Sequence, residues 1–288
     1  MKVFILGTGK TGTTAMVYKV AGGLPNCHAF SGGHPGKRVR NYENAVYKHT
    51  YEDRKGKSID SFKEHLNKEH YDRKIWMARD PRDAAVSRML YRWHRGYSGR
   101  KQQFDKHLEL VLQKEKDPKS IPFYEICRYS GHEEISPRSV ADVVDEERRR
   151  YTQMTEFVKE LGNDWILFKF EDMVAQKFDV LNEYLGFEVQ ADANVPSISG
   201  KAKVIRKKES GDWRHWFTEE DAEIFKPAFL PYMELIGYDC DDWTPDPNPV
   251  IAPEFSSVYM QKLPTKAATN KVLRYFDAVT QMLKKGKG

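Results

Sequence analysis

The sequence predicts an α/β protein in three layers, with a central parallel β-sheet flanked by helices. Short apolar runs alternate with longer stretches of helical pattern, the order that produces a parallel sheet covered on both faces. The first apolar run passes directly into a glycine loop and then a helix. Several of the later helical stretches carry start and stop residues where a helix needs them.

Lys2–Leu6 reads as a short buried strand, followed by a helix from about Gly12 to Gly22. Ala45–His49 is a second strand and Lys74–Ala78 a third. A helix over Pro81–Arg95 follows, with Asp80 as N-cap and Pro81 in the first turn. Residues 139–161 predict a long helix, with Asp142, Asp145, Glu146 and Glu147 early and Lys159 late, as the helix dipole favours. Trp165–Phe170 is a fourth strand, and the helix after it closes at Gly186. Another helix, Glu219–Leu235, ends at Gly237. Residues 241–265 are punctuated by Pro245, Pro247, Pro249, Pro253 and Pro264 and read as an arm. A final helix, Lys266–Lys285, carries an apolar stripe of Val272, Phe276, Val279 and Leu283. The expected organisation is a main domain over 1–240, with 241–288 as an arm and helix packing on it.

At 288 residues, 40% hydrophobic and 31% charged, the chain is composed like a folded protein rather than a disordered one. No apolar run approaches the roughly 18–20 residues that cross a bilayer, so no membrane partner is expected. Cys27, Cys127 and Cys240 are far apart and form neither a disulfide framework nor a zinc pattern. A cytoplasmic setting fits them best. The net charge is +5, but the basic residues cluster: Arg73, Lys74, Arg79, Arg82, Arg88, Arg92, Arg95, Arg100 and Lys101 face only Asp80 and Asp83. That stretch suits either a solvated helix face or a polyanion site.

Three segments carry anion chemistry. Leu6-Gly7-Thr8-Gly9-Lys10-Thr11-Gly12-Thr13-Thr14 lies between strand and helix. Glycines let successive N–H groups turn toward an anion, and the helix start adds positive potential. It is not a nucleoside-triphosphate loop of the G-x-x-x-x-G-K-[ST] type. Gly7 and Gly12 have that spacing, but Thr13 stands where the lysine belongs. The second segment, Arg79-Asp80-Pro81-Arg82-Asp83-Ala84-Ala85-Val86-Ser87, puts an arginine at a strand's carboxyl end and a hydroxyl in the next helix. The third, Arg206-Lys207-Lys208-Glu209-Ser210-Gly211-Asp212-Trp213-Arg214, is a basic loop with a glycine turn. Together they suggest a ligand with anions at two ends.

These segments resemble those of the sulfotransferases that use 3′-phosphoadenosine 5′-phosphosulfate (PAPS). Lys10-Thr11-Gly12-Thr13-Thr14 is similar to their K-[ST]-G-T-T loop, and Arg79 through Ser87 to their R-x-P-x-D-x-x-x-S motif. Phe170-Glu171-Asp172-Met173 looks like their Y/F-E-D-M segment. Arg206 through Thr218 resembles R-K-G-x-x-G-D-W-K/R-x-x-F-T. The matches run in family order across residues 1 to about 240. Two departures are Lys208 in place of glycine and Ala15 in place of a tryptophan; the dimer motif K-x-x-x-T-V-x-x-x-E is absent.

The resemblance implies a P-loop-like fold and a set of roles. Lys10 would bind the phosphate–sulfate bridge and stabilise the leaving nucleotide. Thr11, Gly12, Thr13 and Thr14 would hold the 5′ phosphate. Arg79, Ser87, Arg206 and Lys207 would grip the 3′ phosphate, with Lys208 beside them, and Phe170 would pack near adenine. Trp213 reads as structural. The implied partners are PAPS and a hydroxyl-bearing acceptor, a carbohydrate or a small molecule, with PAP released, no metal, no nucleic acid, and a monomer or homodimer.

Sulfuryl transfer, like phosphoryl transfer, needs an in-line nucleophile, stabilised equatorial oxygens and a stabilised leaving group. A base must also take the acceptor's proton. His49, in Tyr47-Lys48-His49-Thr50, is the candidate, with His34 in reserve and Glu52 or Asp53 as carboxylate options. The family often has K-T-H here. In this chain the histidine follows the lysine directly, and on a strand a one-residue shift reverses the face. The alternatives are an ATP-dependent small-molecule kinase and a non-catalytic polyanion-binding protein. Segment 97–138, basic and aromatic, is expected to shape the acceptor pocket.

Overall fold

The computed structural model of the chain describes residues 1–30, 41–51, 66, 69–94, 96–97, 99–130, 137–195 and 209–264. These form two compact units. The first takes Met1–Ala84, Glu147–Val195 and Ala228–Cys240; the second takes the described residues of Ala85–Glu146, Pro196–Pro227 and Asp241–Gly288.

The first unit holds a five-stranded sheet made of β1 (Lys2–Thr8), β2 (His28–Phe30), β3 (Ala45–Tyr51), β4 (Arg73–Ala78) and β5 (Trp165–Lys169). Its order is β2-β3-β1-β4-β5, and every pairing is parallel. The four expected strands are present, each within two residues of its expected ends. The edge strand β2 was not foreseen, because three residues are too few to show alternation.

Helix α1 (Thr13–Gly22) covers one face of the sheet. Its Met16, Val17 and Val20 join Val3 and Ile5 of β1, Val46 of β3, Ile75 and Met77 of β4 and Phe168 of β5 in one buried cluster. The segment after β5 completes that cluster as two short helices, α6 (Phe170–Val174) and α7 (Asp179–Leu185), instead of the single helix expected. Gln176, at φ +57, breaks the helix between them. The residues alternating with that set, Phe4, Tyr47 and Trp76, point to the other face. There Trp76 packs on Phe157 of α5 (Val140–Lys159) and its indole N–H donates to the Tyr232 hydroxyl of α9 (Glu219–Ile236) at 3.3 Å. The three-layer parallel α/β fold expected from the sequence is therefore present. Each fully buried aliphatic side chain contributes roughly 1.5–3 kcal/mol to it.

The helix after β4, α2 (Pro81–Tyr91), begins at the expected residue. In the second unit, α3 (Lys101–Lys116), α4 (Phe123–Tyr129) and α8 (Trp213–Trp216) occur. Phe123 stacks on Phe217 with ring centroids 5.1 Å apart, and Phe104 meets Trp93 edge-on at 5.5 Å. Both phenylalanines of the segment expected to shape the acceptor pocket are therefore buried in the core. Trp213, buried against Phe217 and Trp243, is structural. Glu115 accepts from the Ser257 N–H at 2.7 Å and tethers the start of a helix over 257–264. The helix expected over Lys266–Lys285 lies outside the described residues. No helix among those described is long and apolar enough to cross a membrane.

Candidate functional site

Strand order locates the site. After β1 the chain goes to the edge strand β2 on one side and returns inward through β3; with β4 and β5 it builds outward on the other. The crossover connections therefore diverge between β1 and β4, and open α/β sheets bind ligands outside the strands' carboxyl ends at such a point. Two of the three segments singled out in the sequence open there. The glycine loop leaves β1, and Arg79 follows β4 directly.

The loop is held in one shape. Gly7 cannot carry a side chain: a Cβ there would fall 2.5 Å from Thr11 Oγ1 and 2.8 Å from the Met77 carbonyl. The Thr11 hydroxyl donates to the Thr8 carbonyl at 2.9 Å. Lys10 adopts φ +77, and Gly12, the N-cap of α1, adopts φ +80. For lysine that left-handed backbone costs on the order of 1–3 kcal/mol, a strain found where function over-determines geometry. A Cβ on Gly12 would also meet Met173 Cε at 2.7 Å and Phe170 Cδ2 at 2.8 Å. The first helical bond of α1 runs from the Met16 N–H to the Gly12 carbonyl, so the amides of Thr13, Thr14 and Ala15 stand at the helix start. No acidic residue occupies that first turn to compete for them.

Arg79 closes the loop from the side. Its side chain is 5% exposed, and Nη1 donates to the Lys10 carbonyl at 3.0 Å. The guanidinium lies 4.2 Å from the centroid of the Phe170 ring. Its Nε is buried and has no hydrogen-bond partner among the described residues. A buried donor without an acceptor costs about 1–3 kcal/mol. Asp80 does not neutralise it, because that carboxylate binds the Arg82 guanidinium, with Oδ2 2.7 Å from Nη2.

A second lysine reaches the loop. Lys48, on β3 and paired in register with Ile5 of β1, donates from Nζ to Thr14 Oγ1 at 2.5 Å. It escaped sequence reasoning, which weighed the neighbouring His49 instead. The available signal was strand parity: Val46 and Lys48 share the face that α1 covers. His49 points to the opposite face, with Tyr47 and Tyr51. Burial pushes the Tyr47 phenol up to about 12.

The structure thus brings together Lys10, Thr11, Gly12, Thr13, Thr14, Arg79 and Phe170. It places His49 on the adjacent strand, partly exposed, and Ser87 on α2, buried. Arg206, Lys207, Lys208, His34, Glu52 and Asp53 lie outside the described residues. Among those described, no group of three or more His, Cys, Asp or Glu could hold a metal ion.

Fold and site define the class: a three-layer parallel α/β protein with a glycine loop at the switch point of its sheet. A scan against protein-family models finds no match, and a search of curated proteins finds none either. Among solved structures the chain is similar to the crystal structure of mouse sulfotransferase SULT7A1 complexed with PAP. Identity is 13%, the match covers 81% of this chain and 84% of that one, and the TM-score is 0.46. Agreement this loose leaves function to be argued from the site's own residues.

Proposed function

We propose that the chain is a PAPS-dependent sulfotransferase, moving a sulfuryl group from PAPS to an acceptor hydroxyl and releasing PAP. The observation that carries this is the meeting of two motif segments at the switch point. There Arg79 is bonded to the Lys10 carbonyl, while its Nε has no acceptor among the described residues.

In this proposal the amides at the start of α1, with Thr11, Thr13 and Thr14, hold the 5′ phosphate. Lys10 neutralises charge on the bridging oxygen as the phosphate–sulfate bond breaks, and Lys48 supplies a second cation beside Thr14. Phe170 gives adenine an apolar surface. Arg79 has two duties, fixing the loop through Nη1 and offering Nε to a donor phosphate. Ser87, Arg206, Lys207 and Lys208 remain the proposed 3′-phosphate grip, and His49 the proposed base. Charge-assisted hydrogen bonds of this kind contribute about 1.5–3 kcal/mol each.

The test is label transfer. The protein is incubated with sulfur-labelled PAPS and a mixture of carbohydrates and small hydroxyl compounds, against ATP with magnesium as the rival donor. Label should enter an acceptor from PAPS alone. Lys10→Ala should cut turnover by about a hundredfold or more while PAP still binds. Transfer from ATP, or neither transfer nor PAP binding, would remove the proposal. An active His49→Ala enzyme would remove His49 as base.

A further inference from the structure

Glu171 has no role in the roles assigned above, yet it joins two parts of the first unit. It sits in the first turn of α6, where β5 ends. Its Oε1 accepts the backbone N–H of Asp80 at 3.1 Å, and its Oε2 accepts the Tyr238 hydroxyl at 2.7 Å. Tyr238 follows Gly237, which closes α9 at φ +71. Its own N–H returns to the Met233 carbonyl at 2.9 Å. Lys169 of β5 ties this turn further: Nζ donates to the Gly237 carbonyl at 2.8 Å and stands 4.6 Å from the Tyr238 ring centroid.

The bond to the Asp80 N–H matters because of what precedes it. Asp80 is the residue at which the chain leaves β4 for α2, and Arg79 is the residue before. The side chain of Asp80 is committed to Arg82, so it fixes the start of α2 and not the strand end. The amide between Arg79 and Asp80 is instead held by Glu171. One peptide plane therefore separates the Glu171 carboxylate from the guanidinium that grips Lys10. A carboxylate at this depth is costly unless its oxygens are matched; the tyrosine and the amide match them.

We propose that Glu171 and Tyr238 are positioning residues: through the Asp80 amide they aim Arg79 at the Lys10 carbonyl and so hold the anion loop in its strained shape. This rests on the functional proposal for the donor, but its first consequence is visible without any donor.

Hydrogen–deuterium exchange of the segment over residues 8–17 in the ligand-free protein reads the loop, and calorimetry with PAP reads the site. Tyr238→Phe and Glu171→Ala should each speed loop exchange about tenfold and weaken PAP about tenfold. Glu171→Gln keeps an oxygen for the Asp80 N–H and should stay within about twofold of the parent in both. Tyr184→Phe is the control. It too loses hydroxyl bonds, to Lys74 and Asp164 at the other end of β4, and should leave loop and PAP affinity unchanged. The positioning role is overturned if Tyr238→Phe leaves loop exchange at the parent rate, or if Tyr184→Phe speeds it equally. Tyr238→Phe decides the matter should Glu171→Ala fail to fold. A parent protein that binds no PAP but shows the exchange pattern would overturn the donor assignment and leave the positioning pair standing.

Discussion

Two buried cations, one in each unit, are held in different ways. Lys114 of α3 is fully buried, and its ammonium donates to the Pro118 carbonyl at 2.8 Å and to the Ile121 carbonyl. The Asp221 carboxylate, whose charge Lys114 feels, accepts from the amides of Phe123, Tyr124 and Thr218 and from the Thr218 hydroxyl. Arg79 is nearly as buried, but only its Nη1 bond to a carbonyl and its face against an aromatic ring are evident, and Nε is left over. A buried cation whose donors are matched within the protein belongs to the architecture. One that keeps a donor unmatched among the described residues, at a strand's carboxyl end, is on the functional proposal placed for the donor phosphate.

The largest test of that contrast is reciprocal. Arg79→Met should weaken PAP by about a hundredfold, through loss of the Nε bond to the donor and of the Nη1 bond that shapes the loop, while changing stability little. Lys114→Met should leave PAP affinity alone. It should cost about 3 kcal/mol in denaturant unfolding, because it leaves two carbonyls without their donor and removes the cation whose charge offsets the buried Asp221 carboxylate. If both substitutions act mainly on stability, Arg79 is architectural too. Gly12→Ala comes next. It forces a side chain into the left-handed region and against Phe170 and Met173, so it should destabilise by about 1–2 kcal/mol and weaken PAP.

The smallest effect is in pH. Burial lowers the Lys114 ammonium from 10.5 to about 8, opposed by the charges of Asp221 and Asp117. Between those values the unfolded chain holds a proton that the folded one releases. That group's cost to stability is therefore full below pH 8 and fades as pH rises toward 10.5. The stability of the parent relative to Lys114→Met should rise between pH 8 and 9.5; a flat difference would mean that folding does not lower the pKa of Lys114. Glu171 shifts the opposite way for an acid, raised by burial despite its bonds to Tyr238 and the Asp80 amide.

Much of the site was legible residue by residue. Gly7 and Gly12 mark a loop because no other residue fits beside Met77 or at φ +80, and Asp80-Pro81 marks a helix start by local chemistry alone. Lys48 was legible only in part. Alternation on a strand separates its face from that of His49, but nothing in the sequence says which face α1 will cover. Glu171 stood in view within Phe170-Glu171-Asp172-Met173, yet its partners are 67 and 91 residues away.

What the sequence determined by itself was therefore four of the five strands, the helices that follow β1 and β4, the parallel arrangement and the three basic or glycine-rich segments, since these follow from periodicity, turn chemistry and charge within short windows. Tertiary structure alone decided that Lys10 and Arg79 touch, that Lys48 joins them through Thr14, and that a carboxylate and a tyrosine steady the arginine. Such contacts depend on which strands become neighbours and on what burial leaves unsatisfied, and both are settled only when the chain closes into its core.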